Sequence, residues 1–297
     1  MIGLLTGSWP LGMPPPGPFY RDFARQAEAR GYDLLFSGDH LFMHGPNADA
    51  LALLACFAGA TERVTLGTGV LLPALREPVV LAKQLATIDH VSGGRLIVGA
   101  GVGGEIEQEW RAMEVPRAER GARTDEALAL MQAFWSGAPL DFQGRFRTVT
   151  GVTGSPIPSR ALPVWIGGRS DAALRRAARF DGWCAYAASP RRVRESVERI
   201  AEWRDLDGFR VSYVVFTCVA DRAEDARATT AHVLGKRYQQ DFERFLDAFC
   251  AVGTADDVAA RIAAYSEAGV HDVLLVPQVP WQELPEQVDR IADALSL

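Results

Sequence analysis

Short apolar runs alternate along the chain with stretches whose apolar residues recur at helical spacing. Ile2-Gly3-Leu4-Leu5 is followed by Phe19, Phe23 and Ala27, and that pattern ends at Gly31, a residue suited to the turn after a helix. Asp33-Leu34-Leu35-Phe36 precedes a helix around 48–59, and Val64-Thr65-Leu66-Gly67 precedes one opened by Pro78. The latter carries Val80, Leu81, Leu85 and Ile88 on one face and closes at Gly93-Gly94, before Arg95-Leu96-Ile97-Val98. Strand starts near 2, 33, 64 and 95 recur every 31 residues, the size of a βα unit. Runs that are apolar on both faces belong in a parallel sheet covered on both sides.

The second half continues the count less regularly. Pro163-Val164-Trp165-Ile166 reads as the fifth strand and Gly182-Trp183-Cys184-Ala185 as the sixth. Val211 to Cys218 is the seventh, and Val273-Leu274-Leu275-Val276 the eighth. Helical patterns lie between them near 119–136, 170–180, 190–204, 221–249 and 254–268, the last opening on Thr254-x-x-Asp257, close to a capping box. A final amphipathic helix carries Val288, Ile291 and Leu295. The expected fold is α/β, a single (β/α)8 TIM barrel forming one domain over residues 1–297. Its spare length sits at 138–162, read as a hairpin and loop inserted between helix four and strand five. A doubly wound sheet also alternates strands and helices, but its first turn needs G-x-G-x-x-G, and Gly7-Ser8-Trp9-Pro10-Leu11-Gly12 has the wrong spacing.

Composition narrows the function. Of the 297 residues 48% are apolar, enough for a full core, and the net charge of −6 argues against phosphate-backbone binding, so nucleic acid is not the expected partner. Cys56, Cys184, Cys218 and Cys250 are too far apart for a C-x-x-C pair, and neither His-x-His nor His-Glu-x-x-His occurs, so no metal site is expected. The N-terminus lacks the basic region and apolar core of a signal peptide, and no run reaches the ~18 apolar residues that span a bilayer. The expectation is a cytoplasmic protein without a membrane partner.

Barrel chemistry sits at the C-terminal ends of the strands. That rule selects Ser8-Trp9, Asp39-His40, Thr68-Gly69-Val70, Gly99 to Glu105, and Gly167-Gly168-Arg169-Ser170. The last segment can hold a phosphate, with two glycines for close approach, a helix start and a full positive charge. It reads equally as a turn with Ser170 as an N-cap. His40 can hydrogen-bond a reacting ring or pass a proton near neutral pH, or it can be a loop histidine paired with backbone. Glu105, Glu107 and Glu109 are expected on a short helix as solvated charges. Trp9, Trp110 and Trp165 suit a pocket wall or the core.

In chain order these pieces resemble the luciferase-like monooxygenase family, including its deazaflavin-dependent oxidoreductases. The resemblance is carried by Gly31-Tyr32-Asp33, Ser37-Gly38-Asp39-His40, Leu66-Gly67-Thr68-Gly69-Val70 and Asp89-His90-Val91-Ser92-Gly93-Gly94-Arg95. Arg120 to Glu126, Trp135-Ser136-Gly137, Val164-Trp165-Ile166-Gly167-Gly168, Val252-Gly253-Thr254 and Ala268-Gly269-Val270 complete it. It implies a barrel that binds a flavin or 5-deazaflavin across its open mouth. In similar proteins the peptide matching Gly69-Val70 is often cis and supports the tricyclic ring, so Thr68, Gly69 and Val70 are expected beside the cofactor. Asp39 and His40 match positions facing ring and substrate and are the expected catalytic pair, His40 being the proton donor. Gly103 and Gly104 match the mouth loop, and Gly167, Gly168, Arg169 and Ser170 the phosphate segment. Relatives often carry Trp-Asn or a catalytic glutamate near Gly104, and Gly104-Glu105 departs from that order.

The implied activity is hydride transfer between the deazaflavin coenzyme F420 and a small organic substrate. An FMN-dependent monooxygenase using dioxygen and a separate reductase is the alternative, and a non-catalytic ligand-binding barrel a third. Trp9 is expected in the substrate pocket, with specificity from loops 9–18 and 41–47 and from the 138–162 insertion. A homodimer is expected from the resemblance.

Overall fold

The computed structural model describes residues 1–9, 14–104 and 106–297. In chain order its strands are β1 (Ile2–Thr6), β2 (Leu34–Ser37), β3 (Thr65–Thr68), β4 (Leu96–Ala100), β5 (Pro139–Gln143), β6 (Thr148–Thr153), β7 (Val164–Gly167), β8 (Gly182–Tyr186), β9 (Arg210–Val219), β10 (Cys250–Gly253) and β11 (Asp272–Pro277). Parallel pairing runs β1-β2-β3-β4-β7-β8-β9-β11 and returns to β1, closing an eight-stranded barrel. Its strands are those expected from the apolar runs, and the fold is a single TIM barrel.

Alternation along each strand builds two cores from one sheet. Leu34 and Phe36, Leu274 and Val276, and Trp165 cluster inside the barrel with Leu5, Ile97 and Cys184. Their neighbours Leu35, Leu275 and Ile166 point outward into the larger core shared with the helices. Glycines make the inner layer fit. A Cβ on Gly67 would stand 2.3 Å from the Phe36 ring, and one on Gly182 would stand 2.5 Å from the Trp165 ring.

Helix boundaries follow capping chemistry. Gly93 ends the helix Pro78–Ser92 with φ of 71°. Ser170 and Ser189 accept backbone N–H groups at their helix starts, and Thr254 with Asp257 forms a complete capping box.

The stretch 221–249 departs from expectation. One helix, Ala223–Tyr238, stops at Gln239 in the left-handed conformation, and short turns lead into β10. β9 pairs with β8 through Arg210–Val214 and with β10 through Phe216–Val219, so β10 extends the edge that β8 leaves. The segment expected at 170–180 is helical only over Asp171–Ala177. The 138–162 stretch holds the antiparallel hairpin β5–β6, tied down by Phe146 and Arg147 N–H donating to Glu126 and by Arg147 pairing with Glu77. No helix among the described residues is long and apolar enough to cross a membrane.

Three of the four cysteines, Cys184, Cys218 and Cys250, are buried. Burial pushes the thiols of Cys184 and Cys218 up to about 11 and that of Cys250 up to about 12, leaving almost no thiolate at pH 8. Native protein at pH 8 should therefore show at most one promptly reacting thiol, the half-buried Cys56, and all four after unfolding. A chromogenic disulfide reagent counts them; two or more prompt thiols in native protein would contradict the buried placement.

Candidate active site

A cavity of about 400 Å³ opens at the C-terminal end of the strands, within the range of small-ligand sites. Much of its wall is backbone, contributed by Gly7, Gly38, Gly69, Gly101, Gly103 and Gly167. The Gly69–Val70 peptide is cis, and the Val70 side chain lies on a bed of glycines. A Cβ on Gly101 or Gly167 would approach Val70 methyl carbons to 2.7 or 2.9 Å. Bare backbone at these glycines thus makes room for Val70, which lines the cavity beside Gly69, Gly101 and Gly167.

His40 follows β2 and reaches the cavity with 28% of its side chain exposed. Its Nδ1 lies 3.1 Å from Glu109 Oε1, and Glu109 is fully buried. The same oxygen accepts the N–H groups of Leu41 at 2.7 Å and Phe42 at 3.3 Å. A carboxylate only accepts hydrogen bonds, so Nδ1 carries the proton and Nε2 is the basic nitrogen of the neutral ring. Asn47 fixes the backbone from the other side, Nδ2 donating to the His40 carbonyl at 2.6 Å. Glu109 was expected as a solvated charge; it is instead buried because loop 40–42 folds its donors onto it.

Asp39 also lines the cavity, but its carboxylate is occupied. Oδ1 accepts from Arg76 at 2.6 Å, while Oδ2 accepts from the Leu72 N–H at 3.0 Å and from Arg76 Nε. It fixes segment 71–76 rather than presenting a base, so its place is as a positioning residue. Thr68 is fully buried, its hydroxyl donating to the Gly99 carbonyl at 2.7 Å, and Gly104 accepts from Arg117. Neither Thr68 nor Gly104 lines the cavity, whereas Gly69, Val70, Gly103, Gly167, Gly168, Arg169 and Ser170 do.

Ser170 performs the capping role, accepting the Ala173 N–H at 3.3 Å, while remaining on the cavity wall. Arg169 reaches across to the Ala187 carbonyl at 3.1 Å and stacks over the Tyr186 ring. Trp9 is on the wall, but Trp110 and Trp165 are core residues. Of the loops expected to set specificity, 41–47 contributes Met43 and Asn47, while no residue of the 138–162 insertion reaches the cavity. Pro10 and the rest of 10–13, together with Glu105, lie outside the described residues.

The donor set suits an anion. Arg120, Arg169 and Arg237 line the cavity, and among the described residues its one carboxylate, Asp39, is already paired with Arg76, in a chain of net charge −6. Arg120 follows β4 and Arg169 follows β7, adjacent strands, so these two charges share one side of the mouth. Glycine-paved backbone beside two cations fits a flat ring with an anionic tail.

A family model described as luciferase-like monooxygenase matches residues 6–272. An uncharacterised protein of Mycobacterium tuberculosis is 31% identical over 211 residues, covering 64% of this chain and 73% of that one. An F420-dependent glucose-6-phosphate dehydrogenase of Beutenbergia cavernae is 28% identical over 91% of this chain and 74% of its own. Another of that name, from Microbacterium testaceum, is 35% identical over 54% of this chain and 49% of its own. Among solved structures, a monooxygenase from Streptomyces bottropensis superimposes with TM-score 0.88 at 23% identity, over 99% of this chain and 98% of the other. An F420-dependent secondary alcohol dehydrogenase, bound to an F420-acetone adduct, gives 0.84 at 19% identity over 99% and 98%.

Proposed function

The chain belongs to the luciferase-like monooxygenase family and is an oxidoreductase of it; from that premise we propose that its cofactor is the deazaflavin F420 and its reaction a hydride transfer to or from an organic substrate. The observation that carries the reading is the His40–Glu109 pair at the edge of a glycine-paved, arginine-lined cavity. Relatives of up to 35% identity are named F420-dependent, which favours the deazaflavin over FMN.

When bound, the cofactor supplies the hydride donor or acceptor. Val70, Gly69, Gly103 and Gly167 would hold the ring, and Arg120, Arg169, Gly168 and Ser170 its anionic tail. Asp39, through Arg76 and Leu72, holds the segment that carries this floor. His40 handles the proton. Its neutral ring takes a proton at Nε2 during substrate oxidation and its protonated ring returns one during reduction, with Glu109 keeping the second ring proton on Nδ1. Apolar walls from Trp9, Val214, Val276 and Leu284 limit water beside the reacting carbon.

Titration of the purified protein with F420 and with FMN, followed by fluorescence, tests the cofactor assignment. Micromolar F420 binding, at least tenfold tighter than FMN, is expected. Tighter FMN binding together with oxygen consumption by reduced FMN would replace this reading with the monooxygenase, and failure to bind either would leave a binding barrel.

A further inference from the structure

Arg237 stands apart from the other two cavity cations. It lies in the last turn of the helix Ala223–Tyr238, after β9, and meets the loop after β1. β9 and β1 flank β11, so Arg237 sits across the mouth from Arg120 and Arg169. It is 7% exposed, and its Nη2 donates to the Ser8 carbonyl at 3.4 Å while the guanidinium lies over the Phe216 ring. Its other partner is the Tyr238 hydroxyl. Arg176, the other arginine buried this deeply, meets Asp125 through two N–H···O contacts. Among the described residues Arg237 has no such carboxylate, and two buried polar atoms in the same corner, Arg237 Nε and Ser8 Oγ, have no partner.

A buried guanidinium is expensive to keep in a fold unless something anionic compensates it. The surrounding wall is apolar, made by Trp9, Phe216, Val276, Val279, Trp281 and Leu284. We infer that the organic substrate is a carboxylic acid, its carboxylate held by Arg237 and Ser8 and its apolar body lying along this wall towards His40. One planar fork matches one carboxylate, whereas a phosphate dianion would leave charge uncompensated in an apolar corner. Calling this ligand the substrate rests on the oxidoreductase reading above; the anion site itself does not.

Tryptophan fluorescence can report binding, because Trp9 and Trp281 are on the wall. The probes are phenylacetate, cinnamate and octanoate, each against its neutral amide, with phenyl phosphate as a further arm. They are titrated into wild type, Arg237→Met and Arg237→Lys, with and without F420. Wild type should bind at least one acid tenfold or more tighter than its amide, Arg237→Met should abolish that preference, and Arg237→Lys should restore part of it. Thermal melts check that each variant is folded. Equal binding of acid and amide by wild type, a preference surviving Arg237→Met, tightest binding of phenyl phosphate, or no acid bound at millimolar concentration overturns the inference. F420 affinity is read in the same samples. If F420 fails to bind while the acid preference persists, the cofactor reading falls and the anion site stands; the converse removes the anion site alone.

Discussion

Replacing His40 by Ala should lower turnover by about 10²-fold or more, the usual worth of a positioned acid–base group, while leaving F420 affinity within about threefold. The fold should tolerate the change. Glu109 would still accept the Leu41 and Phe42 N–H groups, so no buried charge is left without donors. Glu109→Gln separates the proton role from packing. If the oxygen of the introduced amide continues to serve the backbone donors, its NH₂ faces Nδ1, which must then become an acceptor, and the ring proton moves to Nε2. That variant should lose turnover on a similar scale, with a changed pH–rate profile and little change in melting temperature. Glu109→Ala, by contrast, leaves two backbone donors unsatisfied and should destabilise the protein by about 1–3 kcal/mol for each group left fully buried. Unchanged turnover in His40→Ala would remove the imidazole from the reaction, and a pH profile unmoved by Glu109→Gln would remove the tautomer argument.

What the sequence revealed and what it concealed differ in range. The barrel was legible because Leu34-Leu35-Phe36 and Leu274-Leu275-Val276 serve two cores at once, so strands appear as unbroken apolar runs. Caps were legible because Thr254 and Asp257 act on their own helix. β10 was not: Cys250-Ala251-Val252-Gly253 is too short for period to distinguish strand from helix, and it follows a helical pattern. The same limit governed the site. Backbone contributions such as Gly167 and Gly168 were visible as glycines at a strand end. Glu109 looked like one more exposed acid because the histidine it orients is 69 positions away. Arg237 meets Ser8 across 229 positions. Charge placement is a tertiary property, and only the closed barrel brings those groups to one mouth.

Gly99 should be the least replaceable glycine beneath the cavity, and a helical glycine supplies the contrast. Gly99 lies on β4 facing β3, where an added Cβ would stand 2.0 Å from the Thr68 carbonyl oxygen and 3.3 Å from a Val70 methyl. The obstacle is backbone, so no rotamer change relieves it. Thr68 already donates its hydroxyl to the Gly99 carbonyl, which ties the two strands together at the position where they would have to part. Gly99→Ala should therefore cost about 3 kcal/mol or more, at the upper end of overpacking. At ~2–4 °C per kcal/mol that is a fall in melting temperature of about 6–12 °C. Because Val70 rests on the same glycines, F420 binding should weaken with it. Gly59 is exposed within the helix Ala50–Ala60, and a Cβ there meets nothing within 4 Å. Gly59→Ala should stabilise by about 0.5–1 kcal/mol through helix propensity and loss of unfolded-chain freedom. Differential scanning of the two variants beside wild type should thus give shifts of opposite sign. A Gly99→Ala protein melting within about 2 °C of wild type would mean that β3 and β4 can separate without cost, and the close approach of strands under the cavity would lose its structural meaning.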